Sequence, residues 1–352
     1  MKLKIIINYV IFFFLLIAVV FSLSKLVYVN KNYYEAYLLK TIYNMKPDSI
    51  DVLVIGPSTS ESGWNPLVAW KEYGITSLNY SFSNLPVSII ENIIIDVLKK
   101  QKPKLILIDV NSLVSYNYSR GYAKIHFFYY IFQQIPMSVN KIKILNILTK
   151  YYKLDLETFI YSLLPVTTTH ENAFFDDIKI NGLCLAYMRK NYFKKNDIDF
   201  NVNYTTISRF KENDIPISYM NNLFKFCDNL NIPVIFIGVP APLFFTKPFN
   251  TLPLRQRYDS FFSFLREENR DYININDYHA IRDLNFSYSD AADNEHLNFW
   301  GAQKFTKYVS KIIKEKYNLE DKRDNPDYSF WNEASDKYIK DVKDNFGVDI
   351  SF

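Results

Sequence analysis

The sequence predicts an α/β fold, a three-layer α/β/α sandwich with a central parallel sheet of about five strands. Short runs rich in Val and Ile, each of the length of a buried strand, alternate with longer stretches in which apolar residues recur at helical spacing. Strands that alternate with helices form βαβ units, and their parallel sheet is covered on both faces. A chain of 352 residues is long enough to bury such a core.

The predicted strands are the apolar runs at 50–56, 77–81, 104–111, 233–240 and 271–276. Helices are predicted at 88–101, 218–230, 254–269 and 298–317. In the last of these helices, Phe305, Val309 and Ile313 fall on one face, and Asn298 is placed to cap the first turn.

The N-terminus predicts a membrane anchor. Residues 5–24 contain no charged side chain, with Lys2 and Lys4 before them and Lys25 after them. This length spans a bilayer, whereas the apolar part of a cleaved signal peptide is usually about 7–15 residues long. We therefore expect residues 1–30 to be a retained transmembrane signal anchor, with the bulk of the chain outside the cytoplasm.

The alternation of strands and helices stops between residues 113 and 216, a segment longer than an ordinary connection in such a fold. It contains aromatic-rich stretches at helical spacing. Two interpretations stay open: a helical insertion that caps the sheet, or a surface that contacts a membrane or a partner protein.

Residues 45–320 are predicted to form the main domain, which contains the segment 113–216. Residues 321–352 form a charged tail, with Trp331 expected to pack along the outside of the domain.

Composition excludes several classes of function. The net charge of +4 is small and the lysines are scattered, which argues against nucleic-acid binding. The sequence has no CxxC, HExxH or Cys/His cluster, so neither a metal nor a cofactor is expected. A disulfide between Cys184 and Cys227 is compatible with an exported protein, but the sequence does not establish that the two cysteines meet.

Polar residues follow the predicted strands at the sheet edge where open parallel sheets bind substrates. The first strand leads to Gly56-Pro57-Ser58, and the last leads to Asp293 and His296, three residues apart before the final helix. A serine becomes nucleophilic when a histidine takes its proton and a carboxylate orients that histidine. The pattern is compatible with a Ser–His–Asp site at this edge, to which the short loop would supply Asp293 and His296.

A purely structural interpretation of the same residues also stays open. Asp293 is suited to cap a turn through local hydrogen bonds, which leaves His296 as a half-buried core residue. His279 is the nearest rival for the base, and Ser60 is the rival nucleophile if the loop register differs by two residues.

The segments "GPS" at 56–58 and "DNEHLNFWGAQKF" from 293 resemble two signatures of the SGNH (GDSL-like) hydrolase superfamily. One is the Gly-x-Ser at the end of the first strand, and the other is the terminal Asp-x-x-His. The resemblance implies a flavodoxin-like sheet and a nucleophilic Ser58. It also implies an oxyanion hole built from the amide of Ser58, an amide after the second strand and an asparagine after the third. By position, the last two are Ser81 and Asn111.

The chain departs from the family pattern at three places. Pro57 replaces the usual Asp or Ser, Ser81 replaces a glycine, and the third block reads Asp-Val-Asn-Ser instead of Gly-x-Asn-Asp. The α/β-hydrolase fold is the alternative with the same chain order, but its G-x-S-x-G requires glycine where Ser60 stands. A P-loop is excluded because no Gly-Lys-Ser/Thr follows.

Membrane-anchored, exported members of the superfamily act in cell-surface polymer O-acylation, for example the D-alanyl-transfer and alginate O-acetylation proteins. The resemblance therefore implies an O-acyltransferase or esterase that acts on a surface glycan, with a membrane-bound O-acyltransferase as a possible partner. The second hypothesis is a catalytically inactive SGNH-like scaffold that binds glycan or that partner. The three departures and the aromatic-rich segment at 113–216 favour this second hypothesis.

Overall fold

The computed structural model describes residues 2–26, 42, 45–83, 85–114, 138–152, 217–245 and 252–350. The strands are β1 (Val52–Ile55), β2 (Ser77–Asn79), β3 (Leu105–Asp109), β4 (Val234–Gly238) and β5 (Tyr272–Asn274). The α-helices are α1 (Lys2–Leu26), α2 (Ser58–Gly63), α3 (Pro66–Tyr73), α4 (Val87–Leu98), α5 (Asn111–Val114), α6 (Val139–Tyr152), α7 (Ile217–Asn229), α8 (Leu252–Glu267), α9 (Tyr278–Asp283), α10 (Phe299–Tyr317) and α11 (Ser329–Phe346).

The chain divides into two compact units. Helices α1 and α6 belong to the first unit, and all the strands together with the other described helices belong to the second. The predicted domain boundaries at 30, 45 and 320 stay predictions.

The sheet has the order β2-β1-β3-β4-β5, and all its strand pairs are parallel. Each strand matches a predicted one, so the sheet prediction is confirmed. In an open sheet of this order the chain reverses its winding direction between β1 and β3, and a crevice forms there at the carboxyl ends of the strands. The residues that follow β1 and β3 therefore lie side by side at this edge.

Helices cover both faces of the sheet, which gives the predicted three-layer α/β/α architecture. On one face α3 packs against α10, and on the other α4 packs against α7. Phe224 of α7 has its ring centroid 5.5 Å from that of Phe236 in β4 and 6.0 Å from that of Phe264 in α8. Burying such rings is among the largest apolar contributions to a core.

Helix α10 begins where the sequence predicts. Its cap residue Asn298 accepts hydrogen bonds from the amides of Trp300 at 3.0 Å and Gly301 at 3.1 Å. Phe305, Val309 and Ile313 are fully buried. The predicted cap and apolar face of this helix are confirmed.

The C-terminal tail packs more deeply than expected. It forms α11, and Trp331 is only 2% exposed, with its ring 5.6 Å from that of Trp70 in α3. Tyr338 is fully buried and its hydroxyl accepts a hydrogen bond from Asn65 Nδ2 at 3.3 Å. The tail therefore extends the core next to α3, because its apolar residues recur at helical spacing.

Several predictions concern the N-terminal helix and segments of which the structure describes few or no residues. Among the residues that the structure describes, no helix is both long and apolar enough to cross a membrane. The anchor at residues 1–30 stays a prediction. Of the segment 113–216, the structure describes 113–114 and 138–152. Cys184 lies outside the described residues, and the thiol of Cys227 in α7 is free and buried.

Candidate active site

Ser58 is the first residue of α2 and follows a sharp turn after β1. At Gly56, an added Cβ atom would lie 2.2 Å from Ser60 Oγ and 2.5 Å from Asp109 Cβ, distances at which real Cβ atoms are essentially never found. Glycine lets β1 and β3 approach each other while the chain turns into α2. The turn therefore presents Ser58 at the carboxyl edge of the sheet.

The end of α2 is fastened to β2 by one side chain. Asn79 Nδ2 donates to the carbonyl oxygens of Ser60 at 2.8 Å, Glu61 at 3.3 Å and Trp64 at 2.8 Å. The Ser60 carbonyl oxygen also accepts the Trp64 amide at 3.0 Å. The last carbonyls of a helix have no partner within the helix, so a side-chain donor satisfies them. Asn79 is 5% exposed, and these bonds hold the helix that carries Ser58 in place.

Asp109, at the end of β3, connects the serine turn to the start of α5. Its Oδ2 accepts the Thr59 hydroxyl at 2.6 Å, and its Oδ1 accepts the Asn111 amide at 2.9 Å. Complete burial raises the pKa of Asp109 to about 7, although hydrogen bonds from the Thr59 hydroxyl and from the Asn111 and Val239 amides favour the charged form. A buried carboxyl group thus joins the loops after β1 and β3.

Residues 291–297 form a closed loop just before α10. The Ala292 amide donates to the carbonyl oxygen of His296 at 2.8 Å. Within the loop, Asp293 Oδ1 accepts the amides of Glu295 at 2.8 Å and His296 at 2.9 Å. These local bonds fix the carboxylate and the imidazole relative to each other.

Asn298 joins this loop to α10. While its Oδ1 caps the helix, its Nδ2 donates to the carbonyl oxygens of Ser289 at 2.6 Å and Ala291 at 3.2 Å. One buried residue therefore sets both the start of the helix and the position of the preceding loop.

The two segments bring Ser58, His296 and Asp293 together. His296 Nε2 lies 2.8 Å from Ser58 Oγ, and His296 Nδ1 lies 2.8 Å from each carboxylate oxygen of Asp293. In a neutral imidazole with its proton on Nδ1, that nitrogen donates to Asp293 and Nε2 accepts the Ser58 hydroxyl. This is the connectivity of a nucleophile, a general base and an orienting acid. The catalytic roles of the three residues stay a prediction.

The electrostatics of the pair suit this connectivity. Burial disfavours the charged imidazole of His296, but the hydrogen bond and charge of Asp293, with the charges of Glu295 and Glu61, outweigh it and raise the pKa of His296. For Asp293, burial acts to raise the pKa, and the hydrogen bond and charge of His296 with two backbone amides lower it overall. The His296 side chain is 18% exposed and that of Asp293 56%, so the pair lies at the surface of the crevice.

The rival residues occupy other places. Ser60 is fully buried and its hydroxyl donates to the Pro57 carbonyl oxygen at 3.0 Å. His279 is exposed on α9. Asp293 does accept local amides, as the structural interpretation expected, and it also contacts His296. The geometry therefore favours Ser58 over Ser60 and His296 over His279.

The oxyanion candidates lie at the ends of neighbouring strands. The amide of Ser58 belongs to the first turn of α2, where amides have no partner within the helix. Ser81 lies between Tyr80 and Phe82, whose amides donate to the carbonyl oxygens of Val54 and Gly56 in and after β1. Asn111 begins α5 and is 1% exposed. All three candidates thus lie at the carboxyl edge of the sheet, and their roles stay predictions.

Sequence analysis assigned no role to three residues that support this site. Asp109 ends a strongly apolar run, which is a usable signal for a residue at the strand end. Glu61 is buried in α2 and its Oε2 accepts the Ser83 hydroxyl at 3.1 Å. Tyr258 of α8 donates its hydroxyl to Asn111 Oδ1. Neither Glu61 nor Tyr258 carries a sequence signal, because their contacts depend on how distant segments pack.

No protein-family model matches the chain, and no curated protein has a matching sequence. Among solved structures, it is similar to a protein from Desulfitobacterium hafniense DCB-2 described as lipolytic and of the G-D-S-L family, with 11% identity, a TM-score of 0.35 and coverage of 74% of this chain and 98% of the other. A protein from Bacteroides fragilis NCTC 9343 described as an acylhydrolase has 9% identity, a TM-score of 0.38 and coverage of 80% and 95%. A diltiazem-metabolizing enzyme from a gut microbe has 9% identity, a TM-score of 0.36 and coverage of 78% and 48%. Because these TM-scores are low, the similarities carry no argument about activity.

Proposed function

We propose that this chain is a Ser–His–Asp acyl-transfer enzyme, an esterase or O-acyltransferase that acts through an acyl-enzyme on Ser58. The observation that carries the proposal is the 2.8 Å distance between His296 Nε2 and Ser58 Oγ, with Asp293 bonded to the opposite ring nitrogen. A structural serine has no need of a histidine that is oriented in this way.

The proposed reaction has two displacements. Ser58 Oγ attacks the acyl carbonyl carbon while its proton passes to His296 Nε2, and the resulting imidazolium returns that proton to the departing alkoxide. Water or a sugar hydroxyl then attacks the acyl-enzyme with the same help, and Ser58 recovers its proton. Asp293 holds Nδ1 and stabilises the imidazolium in both steps.

The negative charge on the tetrahedral oxygen needs donors. The proposed donors are the amides of Ser58 and Ser81 and the side-chain amide of Asn111. Removing one such donor costs about 2.7–4 kcal/mol of transition-state stabilisation where it has been measured in other enzymes. The buried surroundings of Ser81 and Asn111 strengthen such interactions, because little water competes for the charge.

The proposed substrate is an acyl ester of a cell-surface glycan or polymer, with a membrane-bound O-acyltransferase as a partner. The resemblance to SGNH proteins of surface O-acylation supports this choice. The proposal includes an anchor at residues 1–30 and an extracytoplasmic main domain. In support, residues 5–24 lack charge, and the apolar side chains of α1 are exposed, for example 77% for Phe14.

A fluorophosphonate probe tests the proposed nucleophile. We expect the full chain in detergent to form an adduct on Ser58, located by mass spectrometry of peptides. Ser58→Ala and His296→Ala should prevent it, whereas Ser60→Ala should retain it as the matched control in the same turn. An adduct on another residue, or none in folded protein, would refute the proposal.

Fractionation tests the anchor. The full chain should stay with membranes after alkaline extraction, and a chain without residues 1–30 should be released. Release of the full chain by alkali would contradict the anchor without affecting the proposed chemistry.

The inactive scaffold is the second candidate. The position of Asp109 favours it, because a buried carboxyl group stands where the family pattern has glycine. This candidate predicts that Ser58→Ala and His296→Ala leave glycan or partner binding and biological function intact. Loss of function in both variants would reject it.

A further inference from the structure

Tyr258 of α8 reaches the end of β3 through the core. Its hydroxyl donates to Asn111 Oδ1, although 147 residues separate the two in sequence. Both residues are buried, Tyr258 to 4% exposure and Asn111 to 1%. The bond therefore connects α8 to Asn111, a proposed oxyanion donor. No SGNH signature includes this helix.

The two ends of an asparagine amide differ in what they offer. Oδ1 only accepts hydrogen bonds, and Nδ2 only donates them. An oxyanion needs a donor, so an amide turned by half a rotation would present the wrong end and repel the developing charge. The Tyr258 hydroxyl donates to Oδ1, and this bond holds the amide in the orientation in which Nδ2, the donor end, points away from the phenol.

The Tyr258 hydroxyl is well suited to remain a donor. Burial raises its pKa far above the usual value, with a further contribution from the charge of Asp109. Near neutral pH the phenol therefore keeps its proton, which it donates to Asn111.

Tyr258 is itself held in place. Its ring packs edge-on against Phe244, with the centroids 5.6 Å apart and the planes at 87°. The neighbouring Arg257 donates from Nε to the Val114 carbonyl oxygen at 2.7 Å, at the end of α5. Helix α8 is thus fixed to α5, the short helix that begins with Asn111, at two adjacent residues.

We propose that Tyr258 is a positioning residue that fixes the side-chain amide of Asn111 so that Nδ2 faces the oxyanion. This inference rests on the proposed function. Tyr258 forms no bond to substrate and transfers no proton, so its whole effect passes through Asn111.

The test compares Tyr258→Phe, Asn111→Ala and the double variant with p-nitrophenyl acetate as the probe substrate. Asn111→Ala should lower kcat by about 10²–10³-fold, as expected for a lost oxyanion donor. Tyr258→Phe should lower kcat by about tenfold or more with KM unchanged, because Asn111 Nδ2 is still present but is no longer held in one orientation. The double variant should equal Asn111→Ala, since residues that act as one unit are not additive.

Tyr338→Phe is the matched control. Tyr338, on α11, is also buried, and its hydroxyl also forms a hydrogen bond with an asparagine side chain, that of Asn65. Both Phe variants should unfold at similar temperatures, and only Tyr258→Phe should lower kcat. Additive losses in the double variant, a raised KM alone, or equal kcat in both Phe variants would overturn the inference.

Ser58→Ala on the same ester separates the two proposals. If Ser58→Ala keeps full activity, the proposed function fails, and the inference fails with it.

Discussion

The serine turn (residues 56–64) and the acid–base loop (residues 291–297) meet at one hydrogen bond but are built in different ways. Long-range bonds to buried groups hold the serine turn, from Asn79 in β2 and Asp109 in β3. The acid–base loop is closed mainly by its own amides, and its carboxylate is 56% exposed.

The difference shows how stability and activity are divided within the site. A change in the serine turn disturbs the core, because Asn79 and Asp109, which hold it, are buried in the sheet. A change at Asp293, whose side chain is 56% exposed, alters the chemistry with little loss of packing. The first kind of variant should lose stability, and the second should lose activity alone.

The sharpest test of the acid–base loop is Asp293→Asn. The amide retains an oxygen for the amides of Glu295 and His296, but it no longer selects the Nδ1–H tautomer or stabilises the imidazolium. We expect kcat/KM for p-nitrophenyl acetate to fall by about 10⁴-fold, as for the equivalent change in a serine protease. The thermal unfolding midpoint should match that of the wild type. A large drop in that midpoint would show that this loop also supports the core.

The serine turn should respond to pH through Asp109. Its folded pKa of about 7, against an ordinary value of 3.8, means that the folded protein binds this proton more tightly than the unfolded chain does. Stability is then fully present below the ordinary pKa and is lost as the pH rises from about 4 to about 7, by roughly 4 kcal/mol.

Asp109→Asn removes this loss. Urea unfolding at several pH values should show that the stability of the variant relative to the wild type improves as the pH rises over that range. Asp344→Asn, at an exposed position of α11, is the control and should follow the wild type. An unchanged pH slope in Asp109→Asn would mean that Asp109 is ionised in the fold throughout this range.

A smaller loss of stability is expected for Asn79→Ala. The variant removes the side-chain donor of the Trp64 carbonyl oxygen, whereas the Ser60 carbonyl oxygen keeps the Trp64 amide at 3.0 Å. An unsatisfied buried acceptor costs about 1–3 kcal/mol. Chemical denaturation should show a loss at or above this range, together with weaker fluorophosphonate labelling of Ser58. Asn345→Ala removes a bond to Asp341 on the exposed side of α11 and should have almost no effect. Equal losses in both variants would remove the distinction between the two regions.

The same division explains what the sequence could predict. The strands, the cap at Asn298 and the Asp293–His296 pair depend on residues close together in the chain, so spacing and composition reveal them. The contacts of Asn79, Asp109 and Tyr258 depend on packing between distant segments. No local pattern predicts these contacts, although the end of an apolar run marks Asp109 as a residue at a strand end. Helix α2 has six residues and little apolar periodicity, which hides it from the same reasoning.

The smallest expected effect is a shift in the pH dependence of activity, measured for one charge in each region. His296 must be neutral to accept the Ser58 proton, so kcat/KM should rise with pH. Because the pKa of His296 is raised, this rise should occur at a higher pH than for an ordinary histidine. Glu295 in the exposed loop and Glu61 in the buried turn both contribute to this pKa, so Glu295→Gln and Glu61→Gln should each move the rise to lower pH. Salt screens exposed charges far more than buried ones. In about 1 M salt the pH profiles of the wild type and Glu295→Gln should therefore coincide, whereas Glu61→Gln should keep its shift because Glu61 is 2% exposed. If salt abolished both shifts equally, the charge of Glu61 would act on His296 through solvent. Salt would then screen the charges of the serine turn as strongly as those of the acid–base loop.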